Sequence, residues 1–238
     1  MKRFYLFVLL TVVSLPVLWA WDNHILISTP RTSLLLYAEK GNSLRFQYFG
    51  DKITSEQIPH IYSSGNGLNR PAYPVFGASC SQTPALQVEH ASGDWTLDMV
   101  TENIETRTVE NAQQTVITLV DKLYPFIVKL YYEAYDNVDM IETWTEISHT
   151  EKKAVTLKRF DSGHFLLSQG DVWISHMHGS WASETFVTTE RLEPGMKVIK
   201  NMDGSRNGQN DHAEIMLSLD GKPNENAGRV VGAALCLL

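Results

Sequence analysis

Apolar and polar residues alternate over short stretches along almost the whole chain, and turn residues separate these stretches. No window carries a convincing helical repeat longer than two turns. This pattern predicts many short β-strands and no long helix. The predicted strands cover residues 25–28, 33–38, 44–49, 86–90, 101–110, 115–123, 126–135, 139–149, 155–160, 164–167, 172–178, 181–192 and 228–238.

The strand pattern predicts an all-β fold, a large β-sandwich, because sheet faces of this extent usually need a second layer to bury them. Residues 50–72 interrupt the pattern with glycine, proline, serine and asparagine, which predicts a long surface loop. One sandwich domain is expected over residues 21–238. The final strand stops at its most apolar point, so we expect the sandwich to be incomplete at its C-terminal edge.

The first twenty residues have the pattern of a signal peptide. Lys2 and Arg3 are basic, Phe4 to Val13 are apolar, and Ala20 supplies the small residue of a cleavage site. We therefore expect export to the periplasm or the extracellular space after cleavage near Ala20. The formal charge is −7, and without Lys2 and Arg3 the 18 remaining basic residues face 27 acidic ones, which gives −9. An acidic chain without a basic stripe argues against nucleic acid and membrane surfaces as partners.

The two cysteines, Cys80 and Cys236, lie far apart in the sequence. Export would permit a disulfide, but a domain of this size does not need one for stability. Cysteine is also among the residue types most often buried. Two buried free thiols are therefore expected ahead of a bridge.

The stretch from Val172 to Pro194 concentrates aromatic and polar side chains. It predicts a hairpin-like unit, with one strand from Val172 to His178, a break at Gly179-Ser180 and a second strand from Trp181 to Leu192. Its aromatic residues are Trp173, Trp181 and Phe186, and its chemically active residues are His176, His178 and Glu184.

A metal site is one hypothesis for this unit. His176 and His178 are two residues apart, so on a strand both imidazoles project from one face toward a single ion. Gly170 precedes them at the spacing of the first cupin motif, but Glu184 lies too far away for the glutamate of that motif, and no second motif surrounds His212. Two interior histidines that form hydrogen bonds are the preferred interpretation, and a cupin-like metalloenzyme is the third hypothesis for the chain.

Paired carboxylates are a second hypothesis, because glycoside hydrolysis needs two carboxyl groups a few ångströms apart. Asp136, Asp139, Glu142 and Glu146 are close in sequence, and the two glutamates share a strand face with Trp144. The solvent face of a sheet is the preferred interpretation. Aromatic side chains could also stack on sugar rings, although most aromatic residues on strands belong to a core or an interface. These residues are Trp95, Trp144, Trp173, Trp181, Tyr124, Tyr131 and Tyr132.

Several pieces of the chain, in their order, resemble the N-terminal region of glycoside hydrolase family 36 α-galactosidases. Each piece is weak alone, and the order and combination over residues 25–236 carry the resemblance. The pieces are Phe46-Gln47-Tyr48-Phe49-Gly50, Tyr73-Pro74-Val75-Phe76-Gly77, Pro84-Ala85-Leu86-Gln87-Val88, Leu130-Tyr131-Tyr132 with Asp139-Met140-Ile141, His178-Gly179-Ser180-Trp181-Ala182-Ser183-Glu184, Leu192-Glu193-Pro194-Gly195, and Ser205-Arg206-Asn207-Gly208 up to His212.

The resemblance implies a β-supersandwich that precedes a (β/α)8 barrel, and the barrel of the family carries the two catalytic aspartates of a retaining mechanism. These 238 residues do not include that barrel, so no catalytic residue can be assigned. In many family members an acid and an arginine after the tyrosine-proline-glycine motif reach a neighbouring subunit's sugar pocket. Cys80 and Gln82 stand at the matching positions, and Ser183 stands where an arginine is common. These departures suggest a divergent branch and a different sugar.

The resemblance predicts the non-catalytic N-terminal domain of an exported α-galactosidase-like enzyme, inactive alone and without a cofactor. The expected partners are a catalytic barrel of the same or a related polypeptide, further copies of the chain and an α-galactoside. The candidates for sugar contact are Trp181, Glu184 and His178, and the metal candidates are His176 and His178. The alternative is a free-standing β-sandwich module that binds carbohydrate or a partner.

Overall fold

The computed structural model describes residues 23–63, 70–78, 83–167, 170–201, 210–226 and 228–236. Contacts between residues divide the chain into two compact units, a first unit that ends at Leu166 and a second unit from Leu167 to Leu238. The expected signal peptide, Cys80, Gln82 and residues 205–208 of the resemblance lie outside the described residues. The expectation of one domain over 21–238 stays a prediction.

The first unit consists of short antiparallel strands, as alternation predicts. Three sheets have the strand orders β1-β2-β3-β4, β10-β5 and β6-β7-β8-β9. The strands are β1 (His24–Ser28), β2 (Thr32–Tyr37), β3 (Arg45–Asp51), β4 (Arg70–Pro71), β5 (Leu86–Glu89), β6 (Met99–Val109), β7 (Ala112–Asp121), β8 (Phe126–Tyr135), β9 (Ile141–His149) and β10 (Thr156–Phe160). The all-β prediction is confirmed.

One apolar core is shared by the sheets of the first unit. Inward side chains of β1, β2 and β3 pack with those of β5, β7 and β8, and Phe46 and Phe126 are the largest fully buried side chains. Strand β8 explains why the apolar–polar alternation predicted a strand, because its residues alternate regularly between buried and more exposed positions from Phe126 to Tyr135. This two-layer packing confirms the predicted sandwich.

The predicted loop over residues 50–72 contains a short helical segment, so that part of the prediction is wrong. A 3₁₀ turn (Ser55–Gln57) leads into helix α1 (Ile58–Ser63). The Thr54 amide donates to Oε1 of Gln57 at 2.9 Å, which caps the start of the segment. Ile58 and Ile61 are three residues apart and pack on Leu35, on the face of β2 opposite the main core. Six residues are too few for a visible helical period.

The tyrosine-proline segment, residues 73–77, is held between strands. The Phe76 amide donates to the Leu86 carbonyl, and the Leu97 amide donates to the Phe76 carbonyl. Gly77 has φ +98°, and a Cβ there would lie 2.7 Å from the Cα of Thr96. The glycine of this motif therefore serves a close approach of two backbone segments.

The second unit contains a four-stranded antiparallel sheet with the order β12-β11-β13-β14. Its strands are β11 (Trp173–Ser180), β12 (Ser183–Arg191), β13 (Asn210–Ser218) and β14 (Val230–Ala234). Strand β13 was not predicted, and the predicted strand over 164–167 is wrong, because those residues are irregular. In the described part of the chain, no helix has the length and apolarity needed to span a membrane.

The prediction of two buried thiols is wrong for Cys236, which is a free cysteine exposed to solvent. It follows strand β14, whose residues are mostly exposed as well. Apolar sequence alone therefore did not ensure burial in this segment.

Candidate functional site

The predicted hairpin exists, but its turn lies two residues later than expected. Ser180 pairs with Ser183, so the connection is Trp181-Ala182, and Ala182 has φ 61°. The predicted break at Gly179-Ser180 is part of strand β11 instead. A Cβ on Gly179 would lie 2.7 Å from the carbonyl oxygen of Ser183 and 2.8 Å from the Cα of Glu184. Gly179 is therefore needed for the close approach of the two strands just before the turn.

His176 and His178 share one face of β11, and their ring centres are 5.7 Å apart. Nε2 of His178 lies 2.7 Å from the hydroxyl oxygen of Thr188 on β12. His176 is buried, and its Nδ1 atom lies 3.6 Å from Oδ1 of Asp211, too long for a hydrogen bond. The two imidazoles therefore contact different neighbours.

Glu190 also lies near this histidine pair. The hydrogen bond from Lys197 lowers the pKa of Glu190, and the charges of Lys197 and His176 act in the same direction. His212 is buried beside Asp211, and its Nδ1 atom lies 3.9 Å from Oε2 of Glu214. Among the described residues, no three histidine, cysteine, aspartate or glutamate side chains are grouped so that they could hold a metal ion. Within the part of the chain that the structure describes, the hypothesis of a metal site at His176 and His178 therefore gains no third ligand.

The sugar-contact candidates do not form one pocket. Trp181 lies in the turn of the hairpin and is 81% exposed. Glu184 is also exposed, two residues after the turn. His178 lies farther down the strand, where it pairs with Phe186 and contacts Thr188. The hairpin thus presents separate groups rather than a convergent set.

The carboxylates of strand β9 are each held by a tyrosine of β8. The Tyr135 hydroxyl donates to Glu142 at 3.0 Å, and the Tyr131 hydroxyl donates to Glu146 at 2.8 Å. Four residues of an extended strand separate the two glutamates by about 13 Å. Catalytic carboxyl pairs of glycosidases lie about 5–9.5 Å apart. This pair is therefore too widely spaced for an acid and a nucleophile.

Asp136 and Asp139 lie in the exposed segment that precedes β9. The hydroxyl groups of Thr29 and Thr32 donate to the Asp139 carboxylate. Asp136 lies in the exposed turn before β9. The four acidic residues therefore belong to turns and to a sheet face.

The aromatic candidates have varied environments. Tyr131 and Trp144 stack with ring centres 4.7 Å apart, and Tyr124 stacks on His90. Tyr132 is buried, and this burial raises the pKa of its hydroxyl. Trp95 packs edge-on against Phe76. Most of these rings contact other protein groups.

The second unit keeps many large apolar side chains in solvent. Among its described residues, Ile174 is the one large apolar side chain that is buried. Phe186 projects from one face of the sheet, whereas Val187 and Met216 project from the other. We call the exposed apolar residues of this unit the apolar surface: Trp181, Phe186, Val187, Met196, Val198, Met216, Val230 and Leu235.

The sequence matches the family described as the glycosyl hydrolase family 36 N-terminal domain over residues 42–236. The chain belongs to this family. The resemblance noted from the motifs is thereby confirmed, and the matched region spans parts of both compact units.

Full-length relatives of this family 36 domain are α-galactosidases. Alpha-galactosidase Mel36A of Lactobacillus acidophilus is 24% identical, over 85% of this chain and 32% of that protein. Alpha-galactosidase 2 of Pediococcus pentosaceus is 23% identical, over 80% of this chain and 26% of that protein. The chain thus spans about a third or less of these relatives.

Solved structures show the same fold. The α-galactosidase AgaB from Geobacillus stearothermophilus has a TM-score of 0.74 at 19% identity, and the match covers 88% of this chain and 32% of that protein. The α-galactosidase from Lactobacillus brevis has a TM-score of 0.71 at 19% identity, with 82% and 31% coverage.

The sequence did not reveal two neighbours of His176, a candidate metal ligand, or the partner of His90, a residue that the sequence analysis did not single out. Asp211 and Glu190 flank His176, and Glu151 lies against His90. Asp211 lies on the unpredicted strand β13, and Glu151 is 61 residues from His90. The alternation of apolar and polar residues indicates which face of its own strand a residue occupies. It does not indicate which residues from distant parts of the sequence lie beside it.

Proposed function

We propose that this chain is the non-catalytic N-terminal domain of an α-galactosidase-like glycoside hydrolase and that it supports a catalytic barrel. Family membership and the coverage of about a third of each relative support this proposal. Glu142 and Glu146, four residues apart on β9, are also too widely spaced for a catalytic carboxyl pair. The chain alone is therefore expected to leave a chromogenic α-galactoside unhydrolysed.

The apolar surface of the second unit is the structural observation that carries the supporting role. Large exposed apolar areas on soluble proteins usually mark contacts with other protein surfaces, and here the exposed apolar residues lie on both faces of the sheet. Interfaces between domains of one chain are of this kind. Burial of this surface against a barrel would supply the second unit with the apolar packing that it lacks among its described residues.

Export and assembly are further parts of the proposal. The basic residues Lys2 and Arg3, the apolar run Phe4 to Val13 and Ala20 support a cleaved signal peptide. N-terminal sequencing of the protein from the periplasm or the medium should begin near Trp21. Further copies of the chain are expected to contact it in the assembled enzyme, and an α-galactoside is the expected substrate of the whole protein.

An antibody raised against this chain tests the proposal, because it reveals the molecular mass of the protein that contains the chain in cells. In cells that express the gene, the proposal predicts a band well above 26.9 kDa, and immunoprecipitation of this band should recover α-galactosidase activity. A single band at or below 26.9 kDa would favour the alternative, a free-standing module that binds carbohydrate or a partner. A large band without glycosidase activity would contradict the enzyme assignment.

Charge substitutions in the full-length protein test the supporting role. Val187→Asp places a charge in the apolar surface and should lower the melting temperature and the yield of active enzyme, because burying an unpaired carboxylate is costly. Leu123→Asp is the matched control, since Leu123 is exposed in the first unit and should tolerate the charge. Equal effects of the two substitutions would contradict a docking role for the apolar surface.

A further inference from the structure

The last residues of the first unit, 161–166, form an irregular stretch that we call the closing segment. Hydrogen bonds hold its beginning against the rest of the unit. The Asp161 amide donates to the Ala85 carbonyl at 2.8 Å, and the Tyr73 hydroxyl donates to the Asp161 carbonyl at 3.1 Å. The Thr145 hydroxyl of β9 lies 3.2 Å from the same carbonyl. Three separate parts of the first unit therefore fix the start of the closing segment.

The rest of the closing segment is fixed by packing. A Cβ on Gly163 would lie 2.8 Å from Cγ2 of Thr143, so the backbone runs in direct contact with β9. The ring of Phe165 lies 5.6 Å from the ring of Phe49, measured between centres. Leu166 packs against the main core. The closing segment is therefore part of the packed structure of the first unit.

His164 lies in the middle of the closing segment, and one of its ring nitrogens is poorly placed for a proton. Its Nε2 atom is closed to solvent and has no hydrogen-bond partner among the residues that the structure describes. A neutral imidazole can keep its single proton on Nδ1, whereas the protonated ring carries a proton on both nitrogens. Protonation would therefore create a buried N–H donor without an acceptor, which is unfavourable in a folded protein.

The charges near His164 do not remove this difficulty. Burial is the largest influence and lowers the pKa of His164 below the ordinary 6.5, while Asp161 and Arg159 shift it in opposite directions. The Arg159 guanidinium already donates to the Asp161 carboxylate through Nη2 at 3.0 Å and through Nε at 3.2 Å. Tyr73 stays protonated near neutral pH, because burial raises its pKa to about 12. The closed segment therefore favours a neutral imidazole.

We propose that the closing segment is a pH-sensitive switch, in which protonation of His164 in mild acid releases residues 161–166 from the first unit. The neutral imidazole is compatible with the closed segment. The protonated ring can hydrate its Nε2–H group only when the segment opens. The second unit follows the closing segment directly in the sequence, so the switch acts at the point where the chain leaves the first unit.

The opened segment binds a proton more readily than the closed one, because burial lowers the pKa of His164 only in the closed form. The closed form is therefore most stable above about pH 6.5, the ordinary value. It loses stability as the pH falls from there to the lowered pKa, and it loses no more below that value.

Hydrogen–deuterium exchange of the 238-residue chain, read by mass spectrometry, tests the switch. Protection factors for peptides that cover residues 161–166 correct for the intrinsic effect of pH on exchange. In the unchanged chain, protection should begin to fall near pH 6.5 and should be about tenfold lower at pH 5 than at pH 7.5. His164→Gln should show equal protection at both pH values, whatever its level, because a glutamine amide does not bind a proton in this range.

Two further variants separate protonation from packing. His60→Gln removes an exposed histidine of α1 and should keep the pH dependence of the unchanged chain. Thr145→Val removes a hydroxyl group that holds the Asp161 carbonyl. It should lower protection of residues 161–166 at both pH values, and the fall between pH 7.5 and pH 5 should remain, because His164 is still present.

The histidine ring signals of the unchanged chain, followed by NMR over the same pH range, give a readout that needs no variant. They report the pH at which His164 becomes protonated in the folded chain. This pH should lie below 6.5, and protection of residues 161–166 should fall above it and level off below it.

Three results would overturn the proposal. The first is constant protection of residues 161–166 from pH 7.5 to pH 5 in the unchanged chain. The second is an equal fall of protection in His164→Gln, which would assign the effect to another titrating group. The third is protonation of His164 in the folded chain above pH 6.5, which would mean that the closed segment favours the charged ring.

Discussion

Nδ1 of His90 lies 2.7 Å from Oε1 of Glu151, and the side chains are 0% and 6% exposed. The Ala91 amide donates to the second carboxylate oxygen at 2.9 Å. Tyr124 stacks on the imidazole with ring centres 3.7 Å apart. This buried pair joins the segment after β5 to the segment after β9, so it connects two parts of the first unit that are distant in sequence.

Glu151 should make a pH-dependent contribution to stability. Burial opposes ionisation of its carboxyl group, but the hydrogen bonds from His90 and the Ala91 amide outweigh burial and lower its pKa below the ordinary 4.5. A lowered carboxyl pKa stabilises the folded state above about pH 4.5, and this contribution is lost as the pH falls through the folded-state pKa. Urea unfolding of Glu151→Gln at pH 7 should show a loss of about 2 kcal/mol, which shrinks toward pH 3.

The control for this prediction is Glu146→Gln, on the exposed face of β9. Its free energy of unfolding should change by less than about 0.5 kcal/mol at either pH. A Glu151→Gln deficit that stays constant from pH 7 to pH 3 would show that charge on Glu151 is not the cause.

Asp139 should stabilise the first unit by linking two turns. Burial opposes ionisation of Asp139, but hydrogen bonds from Thr29 and Thr32 outweigh it and lower the pKa of its carboxyl group. Asp139→Ala leaves both hydroxyl groups without this acceptor and should lower the free energy of unfolding by about 1 kcal/mol. Asp136→Ala, in the same turn but without these partners, should have little effect in the same chemical denaturation experiment. Equal losses would refute the link.

The sequence was most informative where local alternation decides the structure. Strand β8 has the predicted bounds, Phe126–Tyr135, because one of its faces packs in the core along its whole length. Strand β13 was missed for a physical reason. The pairing of β13 with β11 contains a register shift. His176 pairs with Ile215 and His178 pairs with Asp211, so two residues along β11 correspond to four residues along β13. This irregularity removes the period of two from the sequence.

The candidate site was predicted less well than the fold. Spacing correctly placed His176 and His178 on one face, because they lie two apart on one strand. The neighbours that decide their chemistry, Asp211 and Thr188, come from other strands. Motif order identified the family, but only strand pairing reveals which side chains meet.

Helix α1 should contribute to stability although it is short. Ile61 is buried with Ile58 and Leu35, and Ile61→Ala leaves a cavity on the outer face of β2. We expect a loss of about 2 kcal/mol, the lower end for such substitutions, because the cluster is small and close to solvent. The shift of the urea unfolding midpoint measures this loss of stability. Ile127→Ala, on the outer face of β8, is the control and should cost much less. Equal losses would contradict this role of α1.

Gly179 should be required for the β11–β12 hairpin for steric reasons alone. Gly179→Ala would place Cβ within 2.8 Å of backbone atoms of Ser183 and Glu184, and neither backbone can move away without distorting the strand pair. We expect a loss of about 1–3 kcal/mol, typical of overpacking. Faster amide hydrogen exchange should be concentrated in β11 and β12.

Gly232 provides the matched control in the same sheet. A Cβ at Gly232 meets no atom within 4 Å, so Gly232→Ala should leave exchange in β11 and β12 unchanged. Comparison of the two variants separates a steric effect from the general effect of adding a methyl group to a strand. Amide hydrogen exchange in Gly179→Ala at the rate of the unchanged chain would contradict this steric requirement. The two strands would then be able to separate by several tenths of an ångström near the turn.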